Sequence, residues 1–182
     1  MAPLLLVIDI QNDYFDGGAH PLVGSAAAGE AAGRAIARFR AAGAEVIHVR
    51  HSWDEPDAPY LRTGTPGAEI HASVRPAEGE TVIVKEHPNA FLETDLGAQL
   101  AARGTRELVV AGMMTSMCVD ATVRAALDLG FEVTLLADAC AAPDLEFAGT
   151  RVDGASVHAA FVAALGDSGA TVALSDDVSP GS

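Results

Sequence analysis

The chain has 182 residues, 49% hydrophobic and 20% charged, which excludes a disordered chain and suits one domain whose core needs neither disulfides nor metal. A formal net charge of −14 and a pI of about 4.6 argue against nucleic acid or an anionic membrane as partner. Two cysteines read as free thiols, no apolar run reaches membrane-span length, and "MAPLLLVIDI" lacks a basic leader region, so a cytoplasmic protein is expected.

In chain order, the first apolar run is "LLLVIDI" (4–10), followed by an Ala-rich helical pattern over 25–43 with Ile36 and Phe39 on one face. A second run, "AEVIHVR" (44–50), leads into residues 51–80, a long aperiodic stretch rich in Pro and Gly. Such a stretch in a compact domain reads as a functional loop. "TVIVK" (81–85) is the third run, and a helix from Thr94 to Gly104 follows it. "ELVVAG" (107–112) is the fourth, leading to a helix between Thr115 and Gly130. "FEVTLLAD" (131–138) is the fifth. A last helix ends at Gly166, a weaker sixth run is "ATVAL" (170–174), and residues 175–182 read as a flexible tail. Near-continuous apolarity in the runs, alternating with helices, predicts an α/β fold: a single doubly wound three-layer domain over 1–182 on a six-stranded parallel sheet.

Open α/β sheets bind ligands at the carboxyl ends of their strands. There the first run delivers Asp9, the third Lys85, and the fourth a turn leading to Cys118. With Thr115 as N-cap, Cys118 would stand three residues into the helix, where free N–H groups and the helix dipole favour a thiolate and Lys85 would lower the thiol pKa further. Each residue alone also fits an ordinary role: a small buried thiol, a loop cap, a solvated charge. All three at one sheet edge point to nucleophilic catalysis. A dinucleotide-binding protein is excluded, because "DIQNDYFDGG" follows the first run in place of G-x-G-x-x-G.

Three segments in order, "LLVIDIQNDYF", "VIVKEHPNAFLETDL" and "LVVAGMMTSMCVDATVRAALDLGFEVTLLADAC", resemble the isochorismatase-like cysteine hydrolases. The resemblance implies the strand order 3-2-1-4-5-6 and a catalytic triad of Asp9, Lys85 and Cys118. It also implies a cis peptide between Met113 and Met114, with an oxyanion hole formed by the N–H groups of Met114 and Cys118. Family chemistry divides between C–N hydrolysis through a thioester and vinyl-ether hydrolysis, which can dispense with the cysteine. Cys118 therefore favours an amide, lactam, urea or carbamoyl substrate, with vinyl-ether hydrolysis or a non-catalytic binding role as the alternatives.

Related nicotinamidases hold a metal through an Asp-x-His pair and a later His. This chain places His51, Trp53 and Tyr60 there, so no metal and no other cofactor is expected, although His51, Asp54 and His71 remain as potential ligands. The wording of "GTPGAEIH", "GMMT.MCVDAT" and "DLEF" most resembles the streptothricin-hydrolase-like branch, whose members open a lactam. Gln11, Phe15, Trp53, Tyr60 and Phe91 are the candidate substrate-binding residues, with His87 at the mouth of the site. His48, His158 and Cys140 read as structural. The partners expected are a small-molecule substrate and further copies of the chain, in a homodimer or homotetramer.

Overall fold

A computed structural model of the protein describes residues 3–180. Its strands are β1 (Leu4–Ile8), β2 (Val46–His51), β3 (Thr81–Lys85), β4 (Glu107–Met113), β5 (Glu132–Ala141), β6 (Leu145–Phe147), β7 (Thr150–Val152) and β8 (Thr171–Ala173). Its helices are α1 (Ser25–Ala41), α2 (Leu96–Ala102), α3 (Asp120–Asp128) and α4 (Gly154–Asp167). Six strands form one parallel sheet in the order β3-β2-β1-β4-β5-β8. This is the expected 3-2-1-4-5-6 topology, with β8 as the sixth strand. The separate β6–β7 hairpin, which contains "LEF", is an addition that the apolar-run pattern did not mark.

Alternation within β1 shows why the sheet is doubly covered. Leu5 and Val7 join a core that contains Ala32, Ile36 and Phe39 of α1. Leu4, Leu6 and Ile8 join a second core with Leu100 of α2, Val123 of α3 and Leu165 of α4. Both faces are apolar because both meet helices. No described helix is long and apolar enough to cross a membrane.

Where a flexible tail was expected from residue 175 onward, residues 175–177 are anchored. Ser175–Asp177 form a 3-10 turn in which Ser175 is buried, donating from its backbone N and Oγ to the two Asp138 carboxylate oxygens at 2.6 and 2.7 Å. Arg38 donates to Asp176 Oδ1 at 2.9 Å and to the Ser175 carbonyl. Polar anchoring of this kind leaves no hydrophobic signature in sequence. Residues 181 and 182 lie outside the described residues.

Candidate active site

Topology converges the reactive groups. Asp9 follows β1 with φ at 51°, a left-handed conformation in which its backbone N still donates to Val49 O at 2.9 Å. His51 and Lys85 end β2 and β3 as register partners, so their side chains leave the sheet together. Gly112 lets β4 approach β1, since a Cβ there would lie 2.4 Å from the Ile8 carbonyl oxygen. The peptide between Met113 and Met114 is cis. Thr115–Val119 then form one π-helical turn before α3, with the Met117 and Val119 N–H groups donating to Met114 O at 3.0 and 3.2 Å.

This turn corrects the expected cap. Met114 holds the N-cap position, and the Thr115 hydroxyl pairs with His158 Nδ1 at 2.9 Å rather than capping the helix. The neighbour that draws the hydroxyl away stands on α4, far off in sequence.

Lys85 Nζ is the hub. It lies 2.6 Å from Asp9 Oδ2, 3.3 Å from Cys118 Sγ and 3.0 Å from His51 Nδ1, and all four side chains are buried. An ammonium has three protons and no lone pair, so one donor faces each neighbour. His51 Nδ1 must then accept, which places the imidazole proton on Nε2. Burial, reinforced by Lys85 and His87, lowers the His51 pKa to about 3, consistent with a neutral ring. Burial opposes the charge on Lys85, but Asp9 and Cys118 outweigh it and the ammonium is retained.

The thiol differs from expectation. Burial and then the Asp9 charge raise the Cys118 pKa well above its usual value, and Lys85 only partly opposes them. Burial also raises Asp9, against the pull of Lys85. Both shifts favour the protonated forms, and the Lys85 ammonium, 2.6 Å from Asp9 Oδ2, is the group that opposes them.

Asp9, His51 and Cys118 bring potential metal-ligating atoms within 4.8 Å of one another, among the described residues the one such group. The Lys85 ammonium stands against all three as the local cation, and its charge opposes a second cation at that point. The other candidate set does not assemble. His71 Nδ1 bonds Ser73, Asp54 accepts from Thr63, and His51 faces Lys85.

Above the thiol opens a cavity of about 430 Å³ lined by Cys118, Met114, Met117, His51, Tyr14, Trp53, Tyr60, His87, Pro88, Glu55 and Glu86. Of the candidate substrate-binding residues, Trp53 and Tyr60 line it and His87 stands at its wall. Gln11 does not: its Nε2 donates to the carbonyls of His51 and Ala68, and its Oε1 accepts from His51 N at 2.8 Å, so it braces the histidine from behind. Phe15 stacks on His71 with ring centroids 3.6 Å apart, and Phe91 stacks on Phe131 at 5.9 Å, both away from the cavity. Aromatic side chains in loops carry no periodicity that separates wall from core, and the adjacent Tyr14 took the place assigned to Phe15. Glu55, Glu86 and Met117 had no distinguishing signal in sequence. His48 pairs with Glu80 at 2.9 Å inside the fold.

The family model for the isochorismatase domain matches residues 3–176. An isochorismatase family protein of Bacillus subtilis, YddQ, named as uncharacterised, is 47% identical over 94% of this chain and 96% of its own. Streptothricin hydrolase of Streptomyces noursei is 38% identical over 96% of this chain, which spans 60% of that enzyme's length. A crystal structure from Oleispira antarctica, named only provisionally as an isochorismatase hydrolase, superposes with a TM-score of 0.92 at 47% identity, covering 97% of this chain and 95% of its own. With the family model spanning nearly all the described residues and two relatives at this level of identity and coverage, the chain belongs to the isochorismatase family of hydrolases.

Proposed function

We propose that the protein is a cysteine hydrolase that cleaves a C–N bond of a small amide, lactam, urea or carbamoyl compound through a thioester on Cys118. The observation that carries this reading is the contact of one buried ammonium with both a carboxylate and a thiol, 2.6 and 3.3 Å away, at the floor of a cavity.

Asp9 accepts the Cys118 proton while Lys85 compensates the thiolate charge, and sulfur attacks the substrate carbonyl. A C–S bond forms, and the carbonyl electron pair moves to oxygen, which accepts from the backbone N–H groups of Met114 and Cys118. As that pair returns, the C–N bond breaks and protonated Asp9 gives its proton to the departing nitrogen. Asp9 next takes a proton from water, whose oxygen attacks the thioester. Release of the acid restores the thiol, so the net change is one water added across the C–N bond.

Likeness to streptothricin hydrolase makes a streptothricin-type lactam the first compound in a screen of amides, lactams, ureas and carbamoyl compounds, with amine or ammonia release as readout. The expected result is turnover with an acyl adduct trapped on residue 118. An adduct on Cys140, or full activity in Cys118→Ser, rejects the reading. Cys118→Ala also separates thioester chemistry from vinyl-ether hydrolysis, which does not require the thiol. We propose a homodimer or homotetramer on the family resemblance, and light scattering at 18.6 kDa in the micromolar range would reject it.

A further inference from the structure

The cavity wall carries a charge pattern that the hydrolytic steps do not use. Glu55, from the loop after β2, and Glu86, immediately after β3, both line it. Neither carboxylate takes part in any ion pair or side-chain hydrogen bond among the described residues, although other acids nearby do, as Glu93 does with His87. No arginine or lysine lines the same wall, and Lys85 beneath it has each of its three donors committed. Beside these acids stand aromatic rings, Trp53 and Tyr60 with centroids 6.4 Å apart and Tyr14 6.0 Å from Tyr60.

A second, independent feature points to a ligand here. His51, 3% exposed and part of the same wall, leaves Nε2 without a hydrogen-bond partner. As deduced from Lys85, that nitrogen carries a proton, so the wall holds a buried donor that no described protein group satisfies.

We infer that the site selects substrates whose non-reacting part carries a positive charge, an ammonium, guanidinium or amidinium group held by Glu55, Glu86 and the Trp53 and Tyr60 rings. The inference rests on the cysteine-hydrolase reading above and specifies its substrate class. Aromatic faces attract cations through the ring quadrupole, and two unpaired carboxylates focus the same sign of field. An anionic substrate such as a dicarboxylate vinyl ether meets repulsion on this wall with no cation free to offset it. A neutral substrate leaves both carboxylates unused.

The test needs no known substrate. Three methanethiosulfonates serve as probes: trimethylammonioethyl (cationic), sulfonatoethyl (anionic) and methyl (neutral). In each the Cys118 sulfur attacks the sulfenyl sulfur, an S–S bond forms and methanesulfinate leaves. Rates are divided by those on 2-mercaptoethanol, and the modified residue is located by peptide mass spectrometry. At low ionic strength the cationic probe is expected to outpace the anionic one by about tenfold or more. The double variant E55Q/E86Q should reduce that ratio about fivefold or more, and so should raised salt. D128N/E132Q, which removes the same net charge where α3 ends and β5 begins, should leave the ratio unchanged. A wild-type ratio near one, or a ratio that E55Q/E86Q does not move, overturns the inference. Absence of modification at Cys118 by all three probes instead overturns the nucleophile reading, and the inference with it.

Discussion

The carboxyl ends of β4 and β5 each lead to a buried cysteine of the same apolar core, and the two differ in the cation and the open space beside them. Cys118, beyond β4, is 3% exposed, and Cys140, within the end of β5, is 6% exposed. Burial raises the thiol pKa in both, to about 12 at Cys140. Cys118 has an ammonium at 3.3 Å, a carboxylate paired to that ammonium, and an open cavity. Cys140 sits opposite Gly112 in the strand register and joins an apolar core with Leu135 and Val133. Depth alone therefore does not distinguish the two thiols. A nucleophile needs a proton acceptor, a compensating cation and a path for the substrate.

The largest test of that contrast is turnover. Cys118→Ala, Lys85→Ala and Asp9→Asn should each lower kcat/KM by about a thousandfold or more, and pairs of them should not add, because they act as one unit. Cys140→Ala should leave kcat within about twofold. Comparable losses at both cysteines, measured on the substrate found by the screen, would dissolve the distinction.

Labelling sharpens it next. Iodoacetamide near neutral pH should modify Cys118 about a hundredfold faster than Cys140, and Asp9→Asn should slow the reaction at Cys118 by removing the base. Peptide mapping over time provides the rates. Equal protection of both thiols until unfolding would argue that Cys118 too is mere core.

A smaller effect lies in stability against pH. The His51 pKa falls from 6.5 to about 3 in the fold, so the unfolded chain takes up the proton first as pH drops. The buried neutral ring therefore costs stability progressively below pH 6.5, on the order of 2 kcal/mol between pH 7 and pH 5. Urea unfolding at those two pH values should show this loss in the wild type and a loss smaller by about that amount in His51→Asn. Identical pH slopes would remove the assignment of a neutral His51 held by Lys85.

The smallest expected effect belongs to Cys140. Trimming it to Ala removes one buried sulfur and should cost about 1 kcal/mol of unfolding free energy, with catalysis retained. A loss of activity without a loss of stability would give Cys140 a role that its surroundings do not suggest.

The strand runs and the three residues at their ends were legible in the sequence, and the strand order followed from the family resemblance. Runs such as "LLLVI" and "ELVVAG" are apolar on both faces because helices cover both, and that pattern is local. Asp9, Lys85 and Cys118 were legible because parallel topology fixes which strand ends share an edge, and because the family resemblance names the same three. Gln11 and Phe15 stand away from the cavity for a physical reason. Both lie beside Tyr14 and Asp9 in sequence, but one is turned to brace His51 and the other to stack on His71, and loop backbone obeys no period that reveals this.

The sequence by itself determined the strand runs and the edge at which Asp9, Lys85 and the turn to Cys118 gather, since these follow from short-range apolar patterning and strand direction. Only the tertiary structure decided the state of those groups. The thiol that helix position suggested would ionise is instead pushed toward its neutral form, because desolvation and the Asp9 charge outweigh Lys85. His51 becomes a neutral donor because burial disfavours its charged form and the β2–β3 register sets the Lys85 ammonium beside it. Glu55 and Glu86, 31 positions apart, share a wall because separate loops meet over one cavity. Charge and hydrogen bonding act through space, and no local pattern in a chain encodes which distant groups will stand within 3 Å of each other.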